Sequence, residues 1–203
     1  PTRRSSDLGD DLLGAVDAVG VGGQGTILAS KILTIGLIEH GYDVKMSEVH
    51  GMSQRGGSVS TQVRFGKKVY SPIIGEGSAD ILVSFEEMEA ARYARFLKKD
   101  GKMVVNTTQI PSLPVLSGAC QYPQGIIAEL KKHVPVRDLD ATKIATDLGN
   151  PKSANVVLLG ALIEALGGFP GTVLMVAHDR HLLSEVADEI WEFTPTGLNV
   201  YAG

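Results

Sequence analysis

Residues able to do polar chemistry gather between Ser47 and Ser60, in the run Ser-Glu-Val-His-Gly-Met-Ser-Gln-Arg-Gly-Gly-Ser-Val-Ser. Glu48, His50, Ser53, Gln54, Arg55 and Ser58 crowd hydrogen-bonding groups into one short stretch of loop composition. Arg55 offers a planar fork suited to carboxylate or phosphate, and Gly56 and Gly57 let the backbone take positive φ and let a partner approach closely. His50 supports two readings: a general base, or a residue that orders the loop or an interface. The second is preferred, because a base must stand beside the chemistry. A second polar stretch is Gly20-Val-Gly-Gly-Gln-Gly25, with glycines 20, 22 and 25 in the G-x-G-x-x-G spacing. That spacing suits a tight turn whose amides, at a helix N-terminus, face an anion. Gly22, Gly23, Gln24 and Gly25 are therefore candidate donors.

These two stretches need elements to hold them. The apolar segment Ala15–Val21 predicts a strand, and Ile27, Leu28, Ile32, Leu33, Ile35 and Ile38 recur at helical spacing. Asp17 is out of place in such a strand, since a central parallel strand is normally buried on both faces. Tyr42–Val49 predicts a second strand that delivers the chain into the His50 loop. Ser60–Phe65 alternates as a strand, and Lys67-Lys68 followed by Val69-Tyr70 suggests a hairpin. Further strands are expected over Asp80–Phe85, Lys102–Asn106 and Val134–Leu139. Helices are expected over Glu86–Lys98, Gly125–His133, Ala141–Leu148, capped by Asp140, and Ser153–Leu166. Strands alternating with helices imply an α/β, Rossmann-like, mostly parallel sheet with helices on both faces and a β-hairpin insertion. Ligands of such sheets bind beyond the strand carboxyl ends. The glycine turn and the His50 loop both leave such ends, from strands expected to be adjacent, so they should share one rim. Glu48 then has three readings: the ribose-binding acid of a dinucleotide fold, a partner for Arg55, or a solvated side chain.

The totals narrow the classes. The 203 residues fit one main domain, and a net charge of -4 offers no basic field for nucleic acid. Cys120 is the single cysteine, which excludes an internal disulfide, denies the chain the four thiolates of an iron-sulfur cluster, and fits a reducing, cytoplasmic setting. No apolar run reaches membrane-spanning length, and no G-x-x-x-x-G-K-[ST] phosphate loop occurs. Residues 1–14, with Arg3-Arg4-Ser5-Ser6, are expected to be a disordered or non-native tail; residues 15–168 form the main domain and 169–203 a β-α-β tail of doubtful origin.

Four linked segments carry a family resemblance. They are Gly20-Val-Gly-Gly-Gln-Gly-Thr-Ile-Leu-Ala-Ser-Lys31, the run from Gly41 through Arg55 to Ser58, Val63-Arg-Phe-Gly66 with Ser71-Pro72, and Gly149-Asn-Pro-Lys-Ser-Ala-Asn-Val-Val-Leu-Leu-Gly-Ala161. In order and spacing, residues 19–166 resemble the gamma-type domain of the 2-oxoacid ferredoxin oxidoreductases, and within that family the beta subunits of the indolepyruvate enzymes. The resemblance implies a cytoplasmic heteromeric complex that oxidatively decarboxylates an arylpyruvate, transfers the acyl group to coenzyme A and passes two electrons to ferredoxin. It implies thiamine diphosphate, magnesium and [4Fe-4S] clusters on a larger partner subunit. This chain would be inert alone and would bind no cofactor by itself, with no catalytic residue assigned to it and its rim meeting coenzyme A phosphates or the partner. Two alternatives remain open: an NAD-binding Rossmann oxidoreductase and a non-catalytic nucleotide-binding module. The second is motivated by Gly171–Phe193, which resembles the final strand and switch histidine of an ABC-F type ATPase, with His178 at the histidine position. A join of unrelated fragments near Gly167–Gly171 is the reading this suggests; a divergent strand-helix extension of the sheet is the other.

Overall fold

A computed structural model describes residues 12–50, 57–165, 189–194 and 197–202. The glycine-turn unit opens the chain: strand β1 (Leu12–Val21), helix α1 (Thr26–Glu39) and strand β2 (Asp43–His50). Strand β3 (Ser58–Gly66) follows, then β4 (Ala79–Ser84), α2 (Glu87–Tyr93) and β5 (Leu97–Asn106). Short helices α3 (Leu113–Leu116) and α4 (Ile126–Leu130) lead to β6 (Val136–Leu139), α5 (Ala141–Asp147) and α6 (Ala154–Ala165). Beyond Ala165, β7 (Glu189–Thr194) and β8 (Gly197–Ala202) pair antiparallel as a two-stranded hairpin of their own. The strand expected before His178, and His178 itself, lie outside the described residues, as do residues 1–11 of the expected tail; residues 12–14 of that tail instead belong to β1.

The six-stranded sheet has the order β2-β3-β1-β4-β5-β6. Strands β1, β4, β5 and β6 are parallel, and β3 runs antiparallel to both β1 and β2. Only β3 is reversed, so the sheet is mostly parallel, and the inserted hairpin is β2–β3. This corrects two sequence expectations. The strands carrying the two polar stretches are not neighbours, because β3 lies between them. Lys67–Tyr70 is not strand, because side chains supply the hydrogen bonds that a ladder would have made. Val69 N donates to Asp43 Oδ2 at 2.8 Å, Ile74 N donates to Gln62 Oε1 at 2.9 Å, and the Arg64 guanidinium donates to the Ile73 carbonyl at 3.1 Å.

Alternation along the central strands separates two cores. Val16, Ala18, Ile81, Val83 and Val104 point to one face and meet Leu33 and Leu37 of α1 and Leu158 and Leu162 of α6. Ala15, Val19, Leu82, Met103 and Val105 point to the other and meet Ala90 of α2, with Ile127 and Leu130 of α4 at the margin. Both faces are covered, as a parallel sheet requires. Asp17 nevertheless sits in β1 fully buried, where Ser60 Oγ donates to its Oδ1 at 2.7 Å and its Oδ2 has no hydrogen-bond partner among the described residues. Burial raises this carboxyl to about 6, against the hydrogen bonds from Ser60 and Gln62.

The helix expected over Glu86–Lys98 is shorter, because the chain tightens after Tyr93, stacks Tyr93 on Phe96 with centroids 5.7 Å apart, and re-enters the sheet at Leu97. Asp140 caps α5 as expected, its Oδ1 accepting from Lys143 N at 2.8 Å.

Candidate functional site

The carboxyl ends of β1, β4, β5 and β6 form one rim, on which the glycine turn is the tightest feature. Gly23 and Gly25 take φ of 107° and 83°, conformations that L side chains rarely adopt. A Cβ at Gly20 would meet Phe85 Cβ at 2.9 Å and Gln24 Oε1 at 2.9 Å, so the first glycine of the spacing serves close packing. Gln24 turns its side chain inward: Oε1 accepts from Val21 N at 2.7 Å and Nε2 donates to the Phe85 carbonyl at 2.8 Å. That carboxamide is a brace between the turn and the end of β4. Among the turn amides, Gly22 N donates to the Gly57 carbonyl at 2.8 Å and Gln24 N donates to the Val21 carbonyl at 3.2 Å. The amides of Gly23 and Gly25 have no bond among the described residues.

The Gly22–Gly57 bond brings the two polar stretches together on one rim, although their strands are separated by β3. Register explains it: β3 runs back from the His50 loop alongside β1, and Ser58 lies opposite Val21. Ser58 turns toward α2, where its Oγ donates to Glu89 Oε2 at 2.5 Å and lies 3.3 Å from Tyr93 Oη. Burial raises the Glu89 carboxyl above its ordinary value, opposed by Ser58 and Arg92. Glu48 is exposed on β2, opposite Thr61. The His50 backbone ends β2 opposite Val59, and its side chain lies outside the described residues, together with Ser53, Gln54, Arg55 and Gly56.

Three rim residues were not singled out from sequence. Asn106 closes β5: its Nδ2 donates to the Phe85 carbonyl at 3.2 Å and to Thr108 Oγ1 at 2.9 Å, and its Oδ1 accepts from Ala141 N at 3.0 Å. The Phe85 carbonyl is thus held from both sides by carboxamides, which ties the ends of β1, β4 and β5 to the start of α5. Glu86, 1% exposed, caps α2 by accepting from Glu89 N at 2.9 Å. It also accepts from Ile110 N at 3.1 Å and from the Tyr122 hydroxyl, pinning the connection between β5 and α4. Burial raises the Tyr122 hydroxyl above its ordinary value, and Glu86 adds to the shift. Asn155, in the first turn of α6, lies against Gly25. The available signal for Asn106 was a polar residue ending an apolar strand.

Among the described residues no group of three or more His, Cys, Asp or Glu could hold a metal, and no helix is long and apolar enough to cross a membrane. The single cysteine in the sequence cannot supply the four thiolates of an iron-sulfur cluster. The model of the pyruvate ferredoxin/flavodoxin oxidoreductase family matches residues 16–192. The chain belongs to this family. It is a subunit of the 2-oxoacid:ferredoxin oxidoreductase type, and such subunits work in multi-subunit assemblies. Among its relatives, "Indolepyruvate oxidoreductase subunit IorB" of Pyrococcus horikoshii is 41% identical over 81% of each chain. The protein of the same name from Thermococcus kodakarensis is 45% identical over 74% of this chain and 76% of its own. The crystal structure of pyruvate oxidoreductase subunit PORC from Thermotoga maritima shares the fold, with a TM-score of 0.58 at 21% identity over 78% of each chain.

Proposed function

We propose that this chain is the smaller subunit of a cytoplasmic indolepyruvate:ferredoxin oxidoreductase. In the proposed reaction an arylpyruvate, coenzyme A and two oxidised ferredoxins give the aryl-acetyl-coenzyme A, carbon dioxide, two reduced ferredoxins and a proton. The observation that carries the substrate class is the 41–45% identity, over three-quarters or so of each chain, to the two archaeal proteins named for indolepyruvate. Thiamine diphosphate, magnesium and [4Fe-4S] clusters belong to the larger partner in this reading. That division agrees with a chain whose lone cysteine is the exposed Cys120. The role left to this chain is to complete the assembly and to present its rim, the Gly22–Gly25 turn with the loop from Glu48 to Ser58, to the partner or to coenzyme A.

The NAD-binding alternative is weakened by strand order. A dinucleotide fold sets its ribose acid on the strand beside the glycine turn. Here Glu48 stands on β2, two strand spacings or roughly 10 Å from β1. Co-expression with a thiamine-binding large subunit tests the proposal. Ferredoxin reduction should require both chains, coenzyme A and an arylpyruvate, and should run faster with indolepyruvate than with pyruvate. Equal rates with pyruvate would remove the substrate assignment, and failure of the two chains to associate would remove the subunit assignment.

A further inference from the structure

The glycine turn leads into a helix whose amino end is not neutralised from within. Helix α1 is 14 residues long, its N-cap Gly25 offers no side chain, and its first turn holds no acidic residue. The first bond of the helix is Ala29 N to the Gly25 carbonyl at 3.1 Å, so the amides of Thr26, Ile27 and Leu28 are free of intrahelical partners. With Gly23 and Gly25 they make a set of donors at the positive end of a helix dipole. At Gly23 an added Cβ would meet no described atom within 4 Å.

An independent observation comes from α6. Asn155 is 6% exposed, yet its carboxamide has no hydrogen-bond partner among the described residues. Its Nδ2 lies 2.7 Å, and its Cγ 3.2 Å, from where a Cβ of Gly25 would stand, so the amide is aimed at the N-cap of α1. Glycine at 25 both permits the φ of 83° and makes room for that amide. The other carboxamides near the turn are spent: Gln24 braces Val21 to Phe85, and Asn106 braces Phe85 to Ala141.

We propose that Asn155 and the free amides of Gly23, Gly25 and the first turn of α1 form a seat for a phosphate-type oxyanion, mono- or diphosphate. A neutral donor set without a built-in carboxylate suits an anion that arrives with a ligand, and Asn155 would donate through Nδ2 to one oxygen while the backbone amides meet the others. The seat deepens the proposed function, resting on the reading that this rim meets a phosphate-bearing co-substrate, and adds a side chain from α6, far from the turn in sequence.

The test is a titration of the full ¹⁵N-labelled chain with inorganic pyrophosphate, inorganic phosphate and acetate in turn. Pyrophosphate or phosphate should saturably shift the amides of Gly23, Gly25 and Thr26 and the Asn155 side-chain amide. N155A should weaken that affinity about tenfold or more, and N155D should weaken it further by setting a carboxylate at the seat. Melting midpoints of both variants separate a lost donor from a lost fold, and the wild-type shifts do not depend on either variant. Shifts confined to other residues, acetate binding as tightly as phosphate, or a folded N155A that binds as the wild type does would each overturn the seat. Ferredoxin reduction by the paired complex with these amides unperturbed would keep the function and discard the seat. Shifted amides without activity of the pair would do the reverse.

Discussion

Asp17 shows how one residue sets a pH dependence. Its carboxyl is raised to about 6 because burial disfavours the charge more than Ser60 and Gln62 favour it. A raised folded-state value means the fold holds this proton more tightly than the unfolded chain does. Its contribution is therefore fully present below the ordinary carboxylate range and is lost as pH rises through about 6. A shift of this size corresponds to roughly 3 kcal/mol as an upper figure. D17N should match the wild type at about pH 4 and exceed it in stability at about pH 8, measured as the difference between the two chains in chemical denaturation. A constant difference across that range would contradict the assignment. Gln24 illustrates a different limit. Q24A removes the acceptor of Val21 N while Asn106 still serves the Phe85 carbonyl, so a loss of about 1–3 kcal/mol is expected. Its residue type was legible from sequence as a polar group in the turn, but its orientation was not, because inward and outward carboxamides share one composition.

At the scale of elements, Glu86 couples α2 to the connection between β5 and α4. One buried carboxylate accepts from Glu89 N, Ile110 N and the Tyr122 hydroxyl, and that hydroxyl accepts in turn from Met88 N at 3.2 Å. E86A should cost about 2–4 kcal/mol and speed hydrogen exchange at the Ile110 amide, and Y122F about 1–2 kcal/mol. Exchange at Ile110 unchanged in E86A would show that the connection is held by something else. Helix α2 itself was visible in sequence, whereas its early end was not. Apolar spacing continues past Tyr93, and only the pairing of Leu97 with Ala79 in the sheet decides that the chain is strand there.

At the scale of the molecule, both core clusters draw their described members from Ala15 to Ala165. A chain ending after Ala165 should unfold cooperatively, with a midpoint within about 4 °C of the full chain, the shift that roughly 1 kcal/mol produces at this size. A broad or multiphasic melt would mean that residues beyond Ala165 complete the core. The same experiment bears on the proposed join near Gly167–Gly171, because a segment foreign to the fold can be removed without loss.

Local spacing and contiguous residues carry the main strands and helices through Ala165, the glycine turn, the Asp140 cap and the family, and all of these can be read from the sequence alone. Packing put β3 between β1 and β2, because strand neighbours are chosen by pairing across the sheet and not by chain order. Packing also brought Gly22 to Gly57 and Asn155 to Gly25. It turned Gln24 inward and buried Asp17. All of these depend on contacts between residues far apart in sequence, whose side chains have no direction until the elements that carry them have packed.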